Sequence, residues 1–167
     1  MVRLDINRIN AKAPYHVTFD ATTDLYKFAS AYNVSFSVGF EENELLDSGD
    51  SYQFVLTNYE GKKSPRDLNV RDTVLAIIED FFISNKAALL YICETGDGMQ
   101  RMRKRLFHFW FSVYAENNEF LFLPQVVYDE DDNENYAALI IRRDNPSFND
   151  LVAEFINTIT LLNNKPL

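Results

Sequence analysis

The sequence predicts an α+β fold: a largely antiparallel sheet of six or seven strands with three helices, in the order ββββαβαββα. In the first third of the chain, apolar residues alternate with a period of two, as in half-buried strands. Near residue 70 the period becomes helical, and a second helical stripe closes the chain. With 167 residues, 47% of them hydrophobic, the chain can form a single globular domain over 1–167. Its least patterned segments, 1–14 and 163–167, are predicted to be the loosest.

Four strands are predicted before residue 60. Tyr15–Phe19 alternates apolar and polar residues, and a polar turn separates it from Leu25–Ala31. Val34–Phe40 follows, with its valines and phenylalanines on one face. Tyr52–Thr57 is the fourth strand, and the acidic segment Glu41–Asp50 is predicted to be the loop before it.

Helices and strands alternate after this region. Apolar residues at helical spacing predict a helix over Val70–Asn85, with Asn69 as its N-cap. The continuous apolar run Ala87–Cys93 predicts a buried strand. A helix over Gly98–Ala115 follows, with Asp97 at the capping position.

Two further strands and a helix complete the predicted fold. Glu119–Tyr128 and Tyr136–Arg142 are predicted to pair through the polar turn between them. Ser147, with Asp150 three residues later, is predicted to form a capping box for the closing helix, whose apolar stripe begins at Phe148.

Charge and cysteine content limit the classes of partner. The formal net charge is −9, and because phosphate contacts need clustered Lys and Arg, nucleic acid is not the expected partner. A single cysteine cannot form an intramolecular disulfide, which is typical of a reducing compartment. The N-terminus lacks a signal-peptide core, and no apolar run approaches the roughly 20 residues that cross a bilayer. A cytoplasmic protein without membrane contact is expected.

The predicted helix Gly98–Ala115 and the turn before it carry the densest basic cluster. Arg101, Arg105 and His108 fall on its polar stripe, and Arg103 lies at the edge of the apolar arc. A solvated helix face is the commoner interpretation of such a stripe, and a surface for an anion or a partner is the other. The candidate binding residues of this segment are Glu94, Asp97, Arg101, Arg103, Arg105 and His108.

The chain shows no catalytic constellation. Cys93 and His108 are the residue types of a nucleophile and a base, but Cys93 ends a predicted buried strand while His108 falls on the polar stripe. Two histidines and one cysteine, widely spaced, provide no zinc pattern. The turn Glu94–Gly98 lacks the spacing of nucleotide-binding loops, and its carboxylates would repel phosphate. No catalytic residue, metal or cofactor is therefore predicted.

A second cluster is acidic and falls between the two last predicted strands. It can be a solubilising hairpin tip, or a docking site that steers a basic partner by charge. It lacks the glycine and glutamate positions of a calcium-binding EF-hand loop. The acidic docking residues are Asp129, Glu130, Asp131, Asp132 and Glu134.

Three stretches of the chain resemble an uncharacterised bacterial family, found mainly in Bacteroidota and known as a domain of unknown function. They are RDTVLAIIEDFFISN, LLYICETGDGMQRMRKRLFHFWF and YAALIIRRDNP. The resemblance covers roughly Tyr26 to Phe155. It implies a fold unit and no activity, cofactor or functional residue. A distant similarity to small proteins encoded beside toxin–antitoxin or phage-defence genes would imply an association rather than a mechanism. The resemblance is most specific at Cys93, Asp97, Gly98, Arg101, Arg103, Leu106, Phe107 and Trp110.

Two functions from different classes are expected. The preferred one is an intracellular, non-enzymatic interaction protein, of an antitoxin, immunity or phage-defence accessory type, that binds a basic protein partner. The alternative is a small anionic-ligand-binding or hydrolytic domain with its site at Cys93–Arg105. Homo-oligomerisation is compatible with both.

Overall fold

The computed structural model describes residues 1–61, 63–93, 105, 106, 108, 109, 112 and 118–164. The chain divides into two compact units. The first comprises Met1–Glu41 and Phe54–Asn85, and the second comprises Glu42–Gln53 and Lys86–Leu167. The single globular domain expected from the sequence stays a prediction.

Strands and helices follow one another in nearly the predicted order. The strands are β1 (Thr18–Asp20), β2 (Leu25–Ala29), β3 (Ser35–Glu42), β4 (Ser51–Asn58), β5 (Ala88–Cys93), β6 (Phe120–Tyr128) and β7 (Glu134–Arg142). The helices are α1 (Ile6–Lys12), α2 (Leu68–Ser84) and α3 (Phe148–Asn163). Five described residues between β5 and β6 are also helical: Arg105, Leu106, His108, Phe109 and Ser112.

The strands belong to a seven-stranded sheet in the order β1-β2-β3-β4-β5-β7-β6. The pairings β1·β2, β2·β3, β5·β7 and β6·β7 are antiparallel. The structure therefore confirms the α+β class and the mainly antiparallel sheet. It also confirms the predicted order ββββαβαββα, which α1 precedes.

The first unit has an aromatic core. Phe81 of α2 is 0% exposed and stacks on Phe40 of β3, with ring centroids 4.7 Å apart. Phe28 and Phe36 are partners in the β2·β3 pairing and stack at 5.4 Å. Burial of these large aromatic side chains removes apolar surface from water and stabilises the unit.

The first unit also buries one carboxylate, that of Asp80 on α2, which is 1% exposed. It accepts hydrogen bonds from the backbone N–H of Asp5 at 2.8 Å and from the guanidinium of Arg8. The hydroxyl of Ser84 donates to it at 3.2 Å and accepts from Arg8 at 3.0 Å. Because a buried charge is tolerated only when it is paired and hydrogen-bonded, this network ties α1 to α2.

The second unit packs α3 against the sheet. β7 lies between β5 and β6, and its apolar side chains meet one face of α3. Gly49 approaches the start of α3 so closely that a Cβ added to it would lie 2.8 Å from the Cβ of Ser147. The buried cluster consists of Leu46, Ala88, Leu90, Ala137, Leu139, Ile141, Leu151, Phe155 and Ile159.

The predicted boundaries differ from the observed ones mainly at the N-terminal end of the chain. β1 is shorter than the predicted strand Tyr15–Phe19 and begins at Thr18. α1 was not among the predicted elements, because its seven residues bury only Ile9 and therefore show no apolar stripe. The side chain of Asp5 caps α1 by accepting hydrogen bonds from two of its N–H groups.

The predicted cap at Asn69 is wrong, whereas Ser147 is the N-cap residue of α3 but does not form the predicted capping box. Asp67, rather than Asn69, caps α2, and it accepts a hydrogen bond from the N–H of Asn69 at 2.9 Å. Ser147 precedes α3 as expected, but its side chain makes no capping hydrogen bond. The cap predicted at Asp97 lies outside the described residues.

Among the described residues, no helix is both long enough and apolar enough to cross a membrane.

Candidate functional site

The structure describes only part of the site predicted on the central helix. Arg105 and His108 are helical and exposed, whereas Leu106 between them is 4% exposed, as the amphipathic pattern predicts. The other four candidate residues, Glu94, Asp97, Arg101 and Arg103, lie outside the described residues. A binding or hydrolytic site at Cys93–Arg105 therefore stays a prediction.

The acidic loop between β6 and β7 is a turn organised by Asp129. Its Oδ1 accepts hydrogen bonds from the backbone N–H groups of Asp131 and Asn133, both at 2.9 Å. Its Oδ2 accepts from the side-chain amide of Asn133 at 3.1 Å. The N–H of Asp132 donates to the carbonyl of Asp129 at 3.2 Å, and Asp132 has a positive φ of 59°. One carboxylate of the acidic cluster thus fixes the conformation of the turn.

The remaining carboxylates of the turn face solvent. Glu130, Asp131 and Asp132 are exposed. Within the described part of the chain, no cation or hydrogen-bond donor contacts their carboxylate groups. Glu134 is exposed too, and it accepts a hydrogen bond from the hydroxyl of Tyr136 at 3.3 Å. The charge of Glu134 raises the pKa of that phenol. The structure therefore places Asp129, Glu130, Asp131 and Asp132 on one ordered turn and Glu134 at the start of β7.

A second acidic loop, residues 43–50 between β3 and β4, is held by a side chain of α3; it is shorter than the predicted loop Glu41–Asp50 because β3 extends to Glu42. Both carboxylate oxygens of Glu154 accept backbone hydrogen bonds, from Asp47 at 2.6 Å and from Ser48 at 2.8 Å. Burial opposes the ionisation of Glu154, but the hydrogen bonds from Ser48 and Asp47 outweigh it and lower the pKa of Glu154. Glu154 therefore stabilises the fold as a carboxylate.

We expect Glu154→Gln to flatten the dependence of stability on pH in the acid range. A carboxyl group whose pKa is lower in the folded than in the unfolded protein stabilises the fold above its unfolded pKa. This contribution is lost as the pH falls through the folded pKa. Glutamine has no charge to lose, so the variant should be less stable than the wild type at neutral pH and should lose less stability than the wild type on acidification.

Urea denaturation at neutral and acidic pH measures this effect. Asp150→Asn is the matched control, because Asp150 is an exposed acidic residue on the same helix. If Glu154→Gln and the wild type lose stability equally on acidification, the Glu154 contacts contribute nothing to folding.

An open cleft of about 500 Å³ lies in the first unit. His16, Lys27 and Tyr59 line it together with hydroxyl and apolar groups of β1, β2 and β3. The ammonium of Lys27 lies 2.7 Å from Asp20 and 5.6 Å from the ring centre of Tyr59. The hydrogen bond from Lys27 is the main cause that lowers the pKa of Asp20 to about 2. Because Asp20 already compensates Lys27, the cleft has little positive charge to offer an anion.

Metal binding has no support in the described residues, where no group of three or more His, Cys, Asp or Glu side chains could hold an ion.

Sequence reasoning missed Glu154 as a structural residue. The available signal was its position next to Phe155, at the border of the apolar stripe of α3. Its hydrogen-bond partners lie 106 and 107 residues earlier, so no local pattern could identify them.

A family model described as "Family of unknown function (DUF6169)" matches residues 66–157. The match begins later in the chain than the expected resemblance from Tyr26, and it includes β5, β6, β7 and the acidic turn. No curated protein and no solved structure matches the chain.

Proposed function

The chain belongs to the family of unknown function DUF6169, and we propose that it is a non-enzymatic interaction protein of the cytoplasm that binds a basic protein partner. One observation carries this proposal. The turn between β6 and β7 is ordered by Asp129 and presents the exposed carboxylates of Glu130, Asp131 and Asp132 without a compensating cation among the described residues.

Electrostatics makes such a turn suited to a basic partner. Charges on a solvent-exposed turn act over a Debye length of about 8 Å at physiological ionic strength. Adjacent like charges therefore add their potentials, which speeds the encounter with an oppositely charged surface. The overall charge of −9 has the same sign and adds to this attraction at low salt.

Preorganisation is the second argument. The hydrogen bonds to Asp129 order the turn before any partner binds. Binding then does not have to fix a flexible loop, which reduces its entropic cost. A basic toxin, nuclease or defence-system subunit is the partner class that this charge fits, and nucleic acid, which is itself anionic, is not.

Charge reversal at the turn tests the proposal. We expect Glu130→Lys combined with Asp131→Lys to weaken binding to an immobilised oligolysine peptide by at least about tenfold at low salt, since several charge contacts are lost. The matched control is Glu44→Lys combined with Asp47→Lys in the second acidic loop, which changes the net charge equally at exposed positions. Wild-type binding should weaken as salt is added.

Two outcomes would count against the proposal. If both double variants lose binding equally, overall charge rather than the turn attracts the probe. If a lysate of the producing cells yields no protein that the wild type and the control retain and the turn variant loses, the turn docks no natural partner.

A further inference from the structure

A cation held between a carboxylate and an aromatic ring occurs on the surface of the first unit. The ammonium of Lys27 lies 2.7 Å from Asp20 and 5.6 Å from the ring centre of Tyr59. The carboxylate supplies the opposite charge, and the face of the ring attracts the same cation through its quadrupole. Because both contacts act on one side chain, each helps to position the cation for the other.

The second unit repeats this arrangement with an arginine. The guanidinium of Arg142, on β7, donates to both carboxylate oxygens of Asp144, at 2.9 and 3.0 Å. Its central carbon also lies 5.6 Å from the ring centre of Phe120, its partner in the β6·β7 pairing. A planar guanidinium stacks on a ring and donates to a carboxylate as a fork, whereas an ammonium acts as a point charge.

The other end of the β6–β7 hairpin also places a ring beside a carboxylate. Tyr128 and Glu134 are directly opposite each other in the β6·β7 register, so their side chains share one face of the sheet. This face is the one opposite α3, because Val127 and Ala137 contact the α3 cluster and side chains alternate along a strand. Tyr128 is 43% exposed and Glu134 is exposed as well, so solvent reaches both groups.

Here, unlike at the two other places, no cation of the described chain contacts the ring or the carboxylate. The ring of Tyr128 makes no cation–π contact with a described residue. The Oε2 atom of Glu134 accepts from the hydroxyl of Tyr136 at 3.3 Å, and its Oε1 atom has no partner among the described groups. Tyr136 lies two positions further along β7 on the same face. Glu134 thus has one aromatic residue across the strand pair and another beside it.

We propose that Tyr128 and Glu134 form a binding site for an arginine side chain of the basic protein partner. The guanidinium would lie over the ring of Tyr128 and donate to Oε1 of Glu134, as Arg142 does toward its own ring and carboxylate. This inference rests on the proposed function and names the residue type that the partner inserts. Tyr128 directly precedes Asp129, so a neighbouring basic residue of the same partner reaches the acidic turn.

A preference for arginine over lysine measures the site. We expect the wild type to bind a tetra-arginine peptide about two- to fivefold more tightly than a tetralysine peptide of the same length and charge. Isothermal titration calorimetry at low ionic strength gives both dissociation constants. Added salt should weaken the binding of both peptides and preserve their ratio, because screening acts equally on equal charges.

Tyr128→Leu should remove this preference without a change in net charge. Leucine retains an apolar side chain on β6 and removes the ring face, whereas Tyr128→Phe retains the ring face and should behave as the wild type. Tyr32→Leu is the matched control at another exposed tyrosine, which is 58% exposed, and it should keep the preference. Glu134→Gln should reduce the preference more than Glu130→Gln, which makes the same change of charge on the turn.

The proposal is overturned if the wild type binds the two peptides equally, or if Tyr128→Leu keeps the preference. It is equally overturned if Tyr128→Phe loses the preference as fully as Tyr128→Leu does, since the ring face is then not the contact. Should Tyr128→Leu fail to fold, the comparison of Glu134→Gln with Glu130→Gln decides, and equal ratios in these two variants overturn the proposal.

Failure of this site is distinguishable from failure of the proposed function. If charge reversal at Glu130 and Asp131 abolishes the binding of both peptides while Tyr128→Leu changes nothing, docking at the turn is supported and the arginine site is overturned. If that charge reversal leaves both peptides bound and only Tyr128→Leu removes the preference, the arginine site is supported and docking at the turn is overturned.

Discussion

Asp80→Ala is expected to lower the free energy of unfolding by about 3 kcal/mol, one of the two largest losses anticipated in this protein. The substitution removes the buried acceptor for the N–H of Asp5, the guanidinium of Arg8 and the hydroxyl of Ser84. The backbone donor of Asp5 then loses its partner in a partly buried site. The expected loss lies at the lower end of the usual range because the side chain of Arg8 is 40% exposed and can be hydrated.

Urea denaturation followed by circular dichroism measures this loss. Glu79→Ala is the matched control, because Glu79 neighbours Asp80 on α2 and pairs with Lys12 at 3.0 Å nearer the surface. Its cost should be no more than about 1 kcal/mol, as for other exposed ion pairs. Limited proteolysis of Asp80→Ala should also release the segment that contains α1. Equal stability of the two variants would mean that the buried network contributes no more than a surface pair.

Phe155→Ala is the other substitution with a large expected effect, and it should lower the free energy of unfolding by about 3–5 kcal/mol. Phe155 is 2% exposed and belongs to the buried cluster of the second unit. Truncation removes its apolar surface and leaves a cavity that the neighbouring strands can fill only in part. Alanine retains the helix, so the loss reports on packing rather than on helix propensity.

The control for Phe155→Ala is the next residue of the same helix. Ile156 is 44% exposed, and Ile156→Ala should change the free energy of unfolding by no more than about 0.5 kcal/mol. Denaturation of both variants in urea under the same conditions provides the comparison. Similar losses in the two would show that α3 does not bury the face assigned to it.

Phe155 and Asp80 differ in how they could be predicted. Phe155 is part of an apolar stripe with helical period, and the period alone indicates which face is buried. Asp80 lies outside the apolar stripe of α2, and helical periodicity gives no indication that its carboxylate is buried. Its main partner, Arg8, is 72 residues earlier in the chain. A buried carboxylate needs partners, and a sequence does not state which distant group supplies them.

The acidic turn likewise combines features that local sequence patterns predict with a feature that they do not. The acidic turn follows from the cluster Asp129–Glu134 and from the two strands that flank it, both of which are local signals. Asp129 orders this turn through hydrogen bonds to groups within four residues, yet the four other carboxylates of the cluster have the same chemistry. Geometry alone distinguishes the one that orders the turn from those that face solvent. Of the candidate arginines on the central helix, the structure describes only Arg105.

The α+β class, the order of strands and helices after α1, and the buried faces of α2 and α3 all follow from local patterns in the amino-acid sequence. These depend on periodicity and turn residues, which act over a few positions along the chain. Three long-range contacts become visible only in the folded chain: Asp80 anchors α1, Glu154 holds Asp47 and Ser48, and Asn163 bonds to the edge of β6. Each of these contacts joins polar groups at least 35 residues apart. Such pairs exist because folding brings specific donors and acceptors to hydrogen-bonding distance, and no short-range pattern encodes that distance.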